Sequence, residues 1–298
     1  MTEIRKVGVL GAGQMGLGIA QSAARAGFDV VLAKATPGKL DGARQQVEKQ
    51  LAKDVERGKL SAADQGALLD RLRWSTHLHD LADVDIVIES IVEELPIKCE
   101  HFTRVDEVVK DDAILATNTS TLTVAEIAAV TKAPERFIGL HFFNPVHAMK
   151  LVEVAPALRT SQRTVDRCLA FAKALGKVPV LVRDSTGYIV NRLLVPYIVD
   201  AVRCLEQGLG SIADIDTAMQ NGANHPLGPL ALADFIGLDI VQHMASLLHA
   251  EYREARLAPP PLLRRMVLAG YLGRKSGTGF YRYAERPPVP NDGLVTRG

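Results

Sequence analysis

The chain has 298 residues, 47% of them hydrophobic, with 35 Lys+Arg against 34 Asp+Glu. That length accommodates two cores, and the balanced charge argues against the basic footprint of a nucleic-acid-binding protein. Three cysteines, Cys99, Cys168 and Cys204, show no Cys-x-x-Cys spacing, so neither a disulfide framework nor a metal site is expected.

The N-terminal stretch MTEIRKVGVLGAG runs straight into a strand, without the charged and apolar regions of a signal peptide. No apolar run approaches the ~20 residues of a membrane span. A cytoplasmic protein without a membrane or nucleic-acid partner is the expectation.

The first half alternates strand and helix patterns. KVGVLG (6–11) reads as a short strand ending in glycine, QMGLGIAQSAARAG (14–27) as a helix, and DVVLA (29–33) as the next strand. A strand–helix–strand unit implies parallel strands and a right-handed crossover. Residues 38–59 and 61–73 read as two polar helices, the second capped by Ser61. A solvated insertion and a ligand-facing arm are both compatible with that hairpin. DIVIES (85–90), AILATN (113–118) and FIGLHFF (137–143) then read as buried strands, and LVEVAP (151–156) and KVPVLVRD (177–184) extend the sheet.

Beyond Asp184 every long segment is helical in period and broadly apolar. The expected fold is α/β: an N-terminal Rossmann-type, mostly parallel sheet with a helical hairpin insertion (1–184), an all-α domain (185–283) and a proline-rich loose tail (284–298).

GAGQMG places Gly11, Gly13 and Gly16 in a G-x-G-x-x-G turn between the first strand and the first helix. Gly11 permits the tight turn, Gly13 lets a pyrophosphate approach the backbone, and Gly16 lets the helix pack on the sheet. Gln14 and Met15 open the helix, whose free N–H groups attract an anion. A dinucleotide is the expected cofactor. The same pattern calls for an acid about 20 residues on, at the end of the second strand, to bond the adenosine ribose. Lys34 stands there instead. A lysine loses the ribose bonds that favour NAD and attracts the extra phosphate of NADP, so the cofactor is NAD or NADP with Lys34 tilting it to NADP. A lysine turned to solvent is the plain alternative.

His141 ends a buried strand, at the edge where open α/β sheets bind ligands. Glu153 arrives on the next strand and could fix its tautomer. From spacing alone, a general base and a hydrogen-bonded core histidine both remain open.

GAGQMGLGIAQ, DIVIESIVEE, TNTSTL, HFFNPVHAMKLVEV, GYIVNRLL, NHPLGPLALADFIGLD and GYLGRKSGTGFYRY occur in that order. Together, over residues 5–283, they resemble the L-3-hydroxyacyl-CoA dehydrogenase family, most of all its bacterial 3-hydroxybutyryl-CoA branch. The resemblance implies reversible hydride transfer between a nicotinamide and C3 of a short-chain acyl-CoA, a reaction of fatty acid metabolism. It implies His141 as general base, Glu153 as its carboxylate partner, Ser120 as hydrogen-bond donor to the reacting oxygen and Asn191 as a substrate-positioning amide. Glu93 and Lys98 match residues around the nicotinamide ribose, and Asn118 adjoins them. The family's helical domain implies a homodimer.

Alternatives stay beside these roles: Ser120 as a cap for the helix that follows it, Asn191 as a surface amide, Lys98 as a surface lysine. His147 departs from the family pattern close to the active edge. Lys39, Arg44 and Lys49 on the hairpin are candidates for CoA phosphates. A short-chain hydroxyacid dehydrogenase would call for a lysine just ahead of the asparagine, where Gly187 and Tyr188 stand. A related sugar-acid dehydrogenase, or a dinucleotide-binding protein without turnover, completes the alternatives.

Overall fold

The computed structural model describes residues 3–36 and 38–294. The chain divides into two compact units with the boundary after Tyr188, four residues beyond the expected one.

The first unit runs β1 (Lys6–Leu10), α1 (Gln14–Arg25), β2 (Asp29–Ala33), α2 (Asp41–Glu56), α3 (Ala62–Asp70), β3 (Leu72–Ser75), β4 (Ile86–Glu89), α4 (Leu95–Asp106), β5 (Ile114–Thr117), α5 (Val124–Ala128), β6 (Phe137–Phe142), β7 (Leu151–Pro156), α6 (Gln162–Ala174) and β8 (Val178–Leu181). The strands form one sheet in the order β3-β2-β1-β4-β5-β6-β7-β8. All neighbours are parallel except β6 and β7. Strands such as IVIE (86–89) and ILAT (114–117) are buried throughout, because helices cover both faces of a parallel sheet. One apolar cluster lies on each face: Val9, Ile19, Ile88 and Phe142 belong to the first, Leu10, Val31, Phe102 and Phe137 to the second.

The helical reading of residues 61–73 needs correction. Helix α3 stops at Asp70, and Leu72–Ser75 forms an edge strand paired with β2. The local helical pattern loses to sheet pairing, which becomes available only once β2 is in place.

The second unit contains α7 (Val190–Glu206), α8 (Ile212–Gly222), α9 (Pro229–Ile236), α10 (Leu238–Tyr252) and α11 (Pro261–Leu268), followed by β9 (Tyr281–Arg282) and β10 (Val289–Pro290). Its core joins Ile198, Val202, Leu230, Leu238, Leu263 and Phe280. Asp216 accepts the Leu230 and Ala231 N–H groups at the start of α9, and Asp234 accepts those of Phe280 and Tyr281. Burial raises both carboxyls, Asp234 to about 6.

The expected loose tail is partly ordered. β10 pairs with β9, and the Asn291 N–H donates to the Phe280 carbonyl. Residues 295–298 of that segment lie outside the described ones. Among the described residues no single helix is long and apolar enough to cross a membrane. One pair, α9 with α10, reaches that apolarity only when summed across a 98° bend.

Candidate active site

The glycine turn has the form that a pyrophosphate needs. Gly11 adopts φ 118°, and a Cβ there would meet the Ser90 carbonyl oxygen at 2.3 Å. A Cβ on Gly16 would meet the Gly11 carbonyl oxygen at 2.0 Å, so the helix can pack this closely only without a side chain. At Gly13 a Cβ would meet nothing within 4 Å: the open space lies where a ligand would approach. Gly13 heads α1 with no side-chain cap, and no acid sits in the first turn. The N–H groups of that turn, including those of Gln14 and Met15, therefore remain available to an anion. A cavity of about 650 Å³ opens beside this turn and extends to Lys34, Glu93 and Asn118. The residues present fit a dinucleotide.

Lys34 follows β2 directly, its N–H bonded to the Ser75 carbonyl. Its Nζ reaches the Lys39 carbonyl at 3.5 Å and stands 2.7 Å from where a Gly38 Cβ would lie. The ammonium thus lies over the loop after β2. Asp29, the only acid on that strand, heads it opposite Lys6, at the far end. Lys39, Arg44 and Lys49 are exposed, with Arg44 paired to Glu48 on α2.

Lys98 is no surface lysine. Its side chain is 0% exposed, with Nζ 2.6 Å from Glu89 Oε1 and 3.2 Å from Glu93 Oε2. Glu89, equally buried, also accepts from the Ile91 N–H at 2.7 Å and from Thr117 Oγ1 at 2.7 Å. Two carboxylates thereby share one ammonium across β4, the following loop and α4. Glu93 collects the turn after β5: Thr119 Oγ1, the Ser120 N–H at 2.8 Å, and the Thr121 N–H and hydroxyl all donate to it. Burial works to raise Glu93, but Lys98 and these donors outweigh it and hold the carboxyl below its ordinary value.

Ser120 Oγ stands 3.5 Å from Glu93 Oε1. It does not cap α5; Asp184 does, accepting the Val124 and Ala125 N–H groups at 2.8 Å each. Asn118, at the end of β5, accepts the Phe142 N–H on its carbonyl and directs its amide to Ser90, clamping three strand ends together.

His141 and Glu153 are direct cross-strand partners in the β6–β7 ladder. His141 Nδ1 lies 2.8 Å from Glu153 Oε2, with both residues buried. An acceptor-only carboxylate puts the proton on Nδ1 and leaves Nε2 as the basic nitrogen. Phe143 and Tyr188 hold the ring, at centroid distances of 4.4 and 5.6 Å. Asn191 belongs to the second unit, where it is buried on the first turn of α7. His147 is exposed on the loop between β6 and β7.

Sequence reasoning missed Glu89, Asp184 and the threonines around Ser120. Glu89 left a signal: a lone acid inside the apolar run DIVIES needs a buried partner. Asp184 left none, because its bonds span about sixty positions.

Residues 6–185 match the model of the 3-hydroxyacyl-CoA dehydrogenase NAD-binding domain, and residues 187–283 match that family's C-terminal domain. A 3-hydroxybutyryl-CoA dehydrogenase of Clostridioides difficile is 46% identical over 278 residues, covering 93% of this chain and 99% of that one. The mitochondrial hydroxyacyl-coenzyme A dehydrogenase of Homo sapiens is 42% identical over 287 residues, 94% of this chain and 91% of that one. The crystal structure of (S)-3-hydroxybutyryl-CoA dehydrogenase from Ralstonia eutropha superposes with a TM-score of 0.91 at 43% identity, covering 95% of this chain and 100% of that one.

Proposed function

The chain belongs to the 3-hydroxyacyl-CoA dehydrogenase family, and from that premise we propose that it interconverts (S)-3-hydroxybutyryl-CoA and acetoacetyl-CoA with a nicotinamide cofactor. The observation that carries the reading is the buried His141–Glu153 pair at 2.8 Å, in the same sheet whose strand β1 runs into the glycine turn.

When bound, the nicotinamide would supply hydride exchange with C3. His141 Nε2 takes the C3 hydroxyl proton in the oxidative direction and returns it in the reductive one. The adjacent Glu153 carboxylate keeps the other ring nitrogen protonated and stabilises the imidazolium that forms. The Ser120 hydroxyl donates to the oxygen as negative charge develops on it. Its backbone is held by Glu93, and Glu93 by Lys98. We assign these two to the order of the turn and the cofactor ribose, and Asn191 to substrate positioning from its place in the VNR motif.

Lys34 supports NADP over NAD, since a cation replaces the acid that would repel a 2′-phosphate. Exposed Leu193, Phe235 and Leu268 in the second unit support a homodimer built through that unit. Three free cysteines fit a reducing cytoplasm.

The test is steady-state reduction of acetoacetyl-CoA with NADH and NADPH in parallel. Turnover with a higher kcat/KM for NADPH is expected. Turnover with a clear NADH preference would remove Lys34 from the cofactor site, and no turnover with either would overturn the substrate assignment.

A further inference from the structure

One residue on the wall of the cavity beside the glycine turn has a role if that cavity holds a dinucleotide, and the role rests on the function proposed above. Lys34, Ala35 and Thr36 mark the adenosine end, because the close of the second strand of a βαβ unit meets the adenosine ribose. Ile97 and His101 line the same cavity from α4, four residues apart and so on one helix face. The helix begins beside Glu93, which is bonded to Ser120. The helix also packs on the short 3₁₀ turn Leu78–Leu81, which itself packs on β2, and His101 stands eight residues beyond Glu93. His101 thus lies towards the adenosine end.

His101 is 7% exposed, and its Nδ1 is enclosed without a hydrogen-bond partner. Burial, helped by Arg104 and opposed by Glu100 and Glu89, holds the ring below its ordinary pKa, so it is neutral near pH 7. A neutral imidazole offers one donor and one acceptor. Leaving a buried polar group unpaired is unfavourable for the free protein. Ala35, Ile91 and Ile97, which line the same cavity, are apolar and suit the faces of a purine.

We propose that His101 is the adenine-reading residue of this chain, its imidazole hydrogen-bonding the purine edge while the apolar wall covers the ring. Adenine presents both an amino donor and ring-nitrogen acceptors, either of which can pair with a nitrogen of a neutral imidazole. The neutral ring does not serve as a counter-charge for a 2′-phosphate; that role stays with Lys34.

The experiment uses ADP-ribose, which carries the adenosine end and no nicotinamide. Calorimetric titration of the full chain should show binding about tenfold weaker in His101→Leu than in wild type, with NADH weakened by the same factor. His101→Gln, which keeps a donor and an acceptor, should recover most of that loss. The melting temperature of unliganded His101→Leu should be no lower than wild type, because the unpaired polar group is gone. In ¹⁵N-labelled wild-type protein, the His101 ring signals should move on adding ADP-ribose. An ADP-ribose affinity in His101→Leu within twofold of wild type, or unmoved ring signals in the bound wild-type protein, overturns the proposal. Wild-type protein that binds ADP-ribose with a His101 response but does not reduce acetoacetyl-CoA upholds it and sinks the substrate assignment alone.

Discussion

Replacing Lys98 by methionine keeps the length of the buried chain and removes its charge. Lys98 is the ammonium between Glu89 and Glu93, at 2.6 and 3.2 Å, and neither Lys98 nor Glu89 is exposed at all. The variant leaves an uncompensated carboxylate in the interior. Removing one partner of a buried pair costs about 3–5 kcal/mol, most of it the desolvation of the charge left behind. With a urea dependence of about 2 kcal/mol per molar, the unfolding midpoint should fall by roughly 2 M. Trp74, the chain's single tryptophan, sits on β3 in the same unit and reports the transition by fluorescence. The double variant Glu89→Gln/Lys98→Met should be more stable than Lys98→Met, because the stranded charge is gone. A Lys98→Met variant within about 1 kcal/mol of wild type, or a double variant destabilised by the sum of both changes, would mean that no buried charge is stranded when Lys98 is lost.

Three further outcomes are expected from the geometry. Gly13→Ala should fold with an unchanged melting temperature yet lose NADH binding in a fluorescence titration, whereas Gly16→Ala should lose stability, since its Cβ would meet a backbone oxygen at 2.0 Å. Cys168 is fully buried, its thiol pushed up to about 12 by burial, so a thiol reagent at pH 8 should spare it in the native protein. Mass mapping should find it modified only in denaturant, ahead of which Cys99 and Cys204 react. Glu93, held below the ordinary carboxylate value, contributes stability that is fully present above that value and is lost as pH falls through its lower folded pKa. Comparing wild type with Glu93→Gln by thermal melts should therefore show a difference that is constant from about pH 6 to 8 and shrinks only below about 4.5.

The legible signals of the sequence are those with short-range causes. The glycine turn is legible because its three glycines fall within six residues, directly after a strand and at the head of a helix. His141 and Glu153 are legible because an antiparallel neighbour places residues twelve apart directly opposite each other. The burial of Lys98 is not, since its helix reads as polar at that position and only the folded chain sets it against the buried Glu89 at the end of the preceding strand. The strand at Leu72–Ser75 is hidden for a related reason: an edge strand needs little apolar alternation of its own when β2 supplies the pairing. His101 carries no sequence signal at all, because an unpaired histidine becomes unusual only when the cavity beside it is known.

The proposed role of His141, oriented by Glu153, is to move the substrate proton. The most direct measurement is acetoacetyl-CoA reduction by His141→Ala beside wild type, with NADH affinity determined on both. A kcat lower by about 10²–10⁴-fold, the range of general acid–base catalysis, is expected at an NADH dissociation constant within about twofold of wild type. A His141→Ala enzyme that keeps kcat within about fivefold of wild type would contradict it.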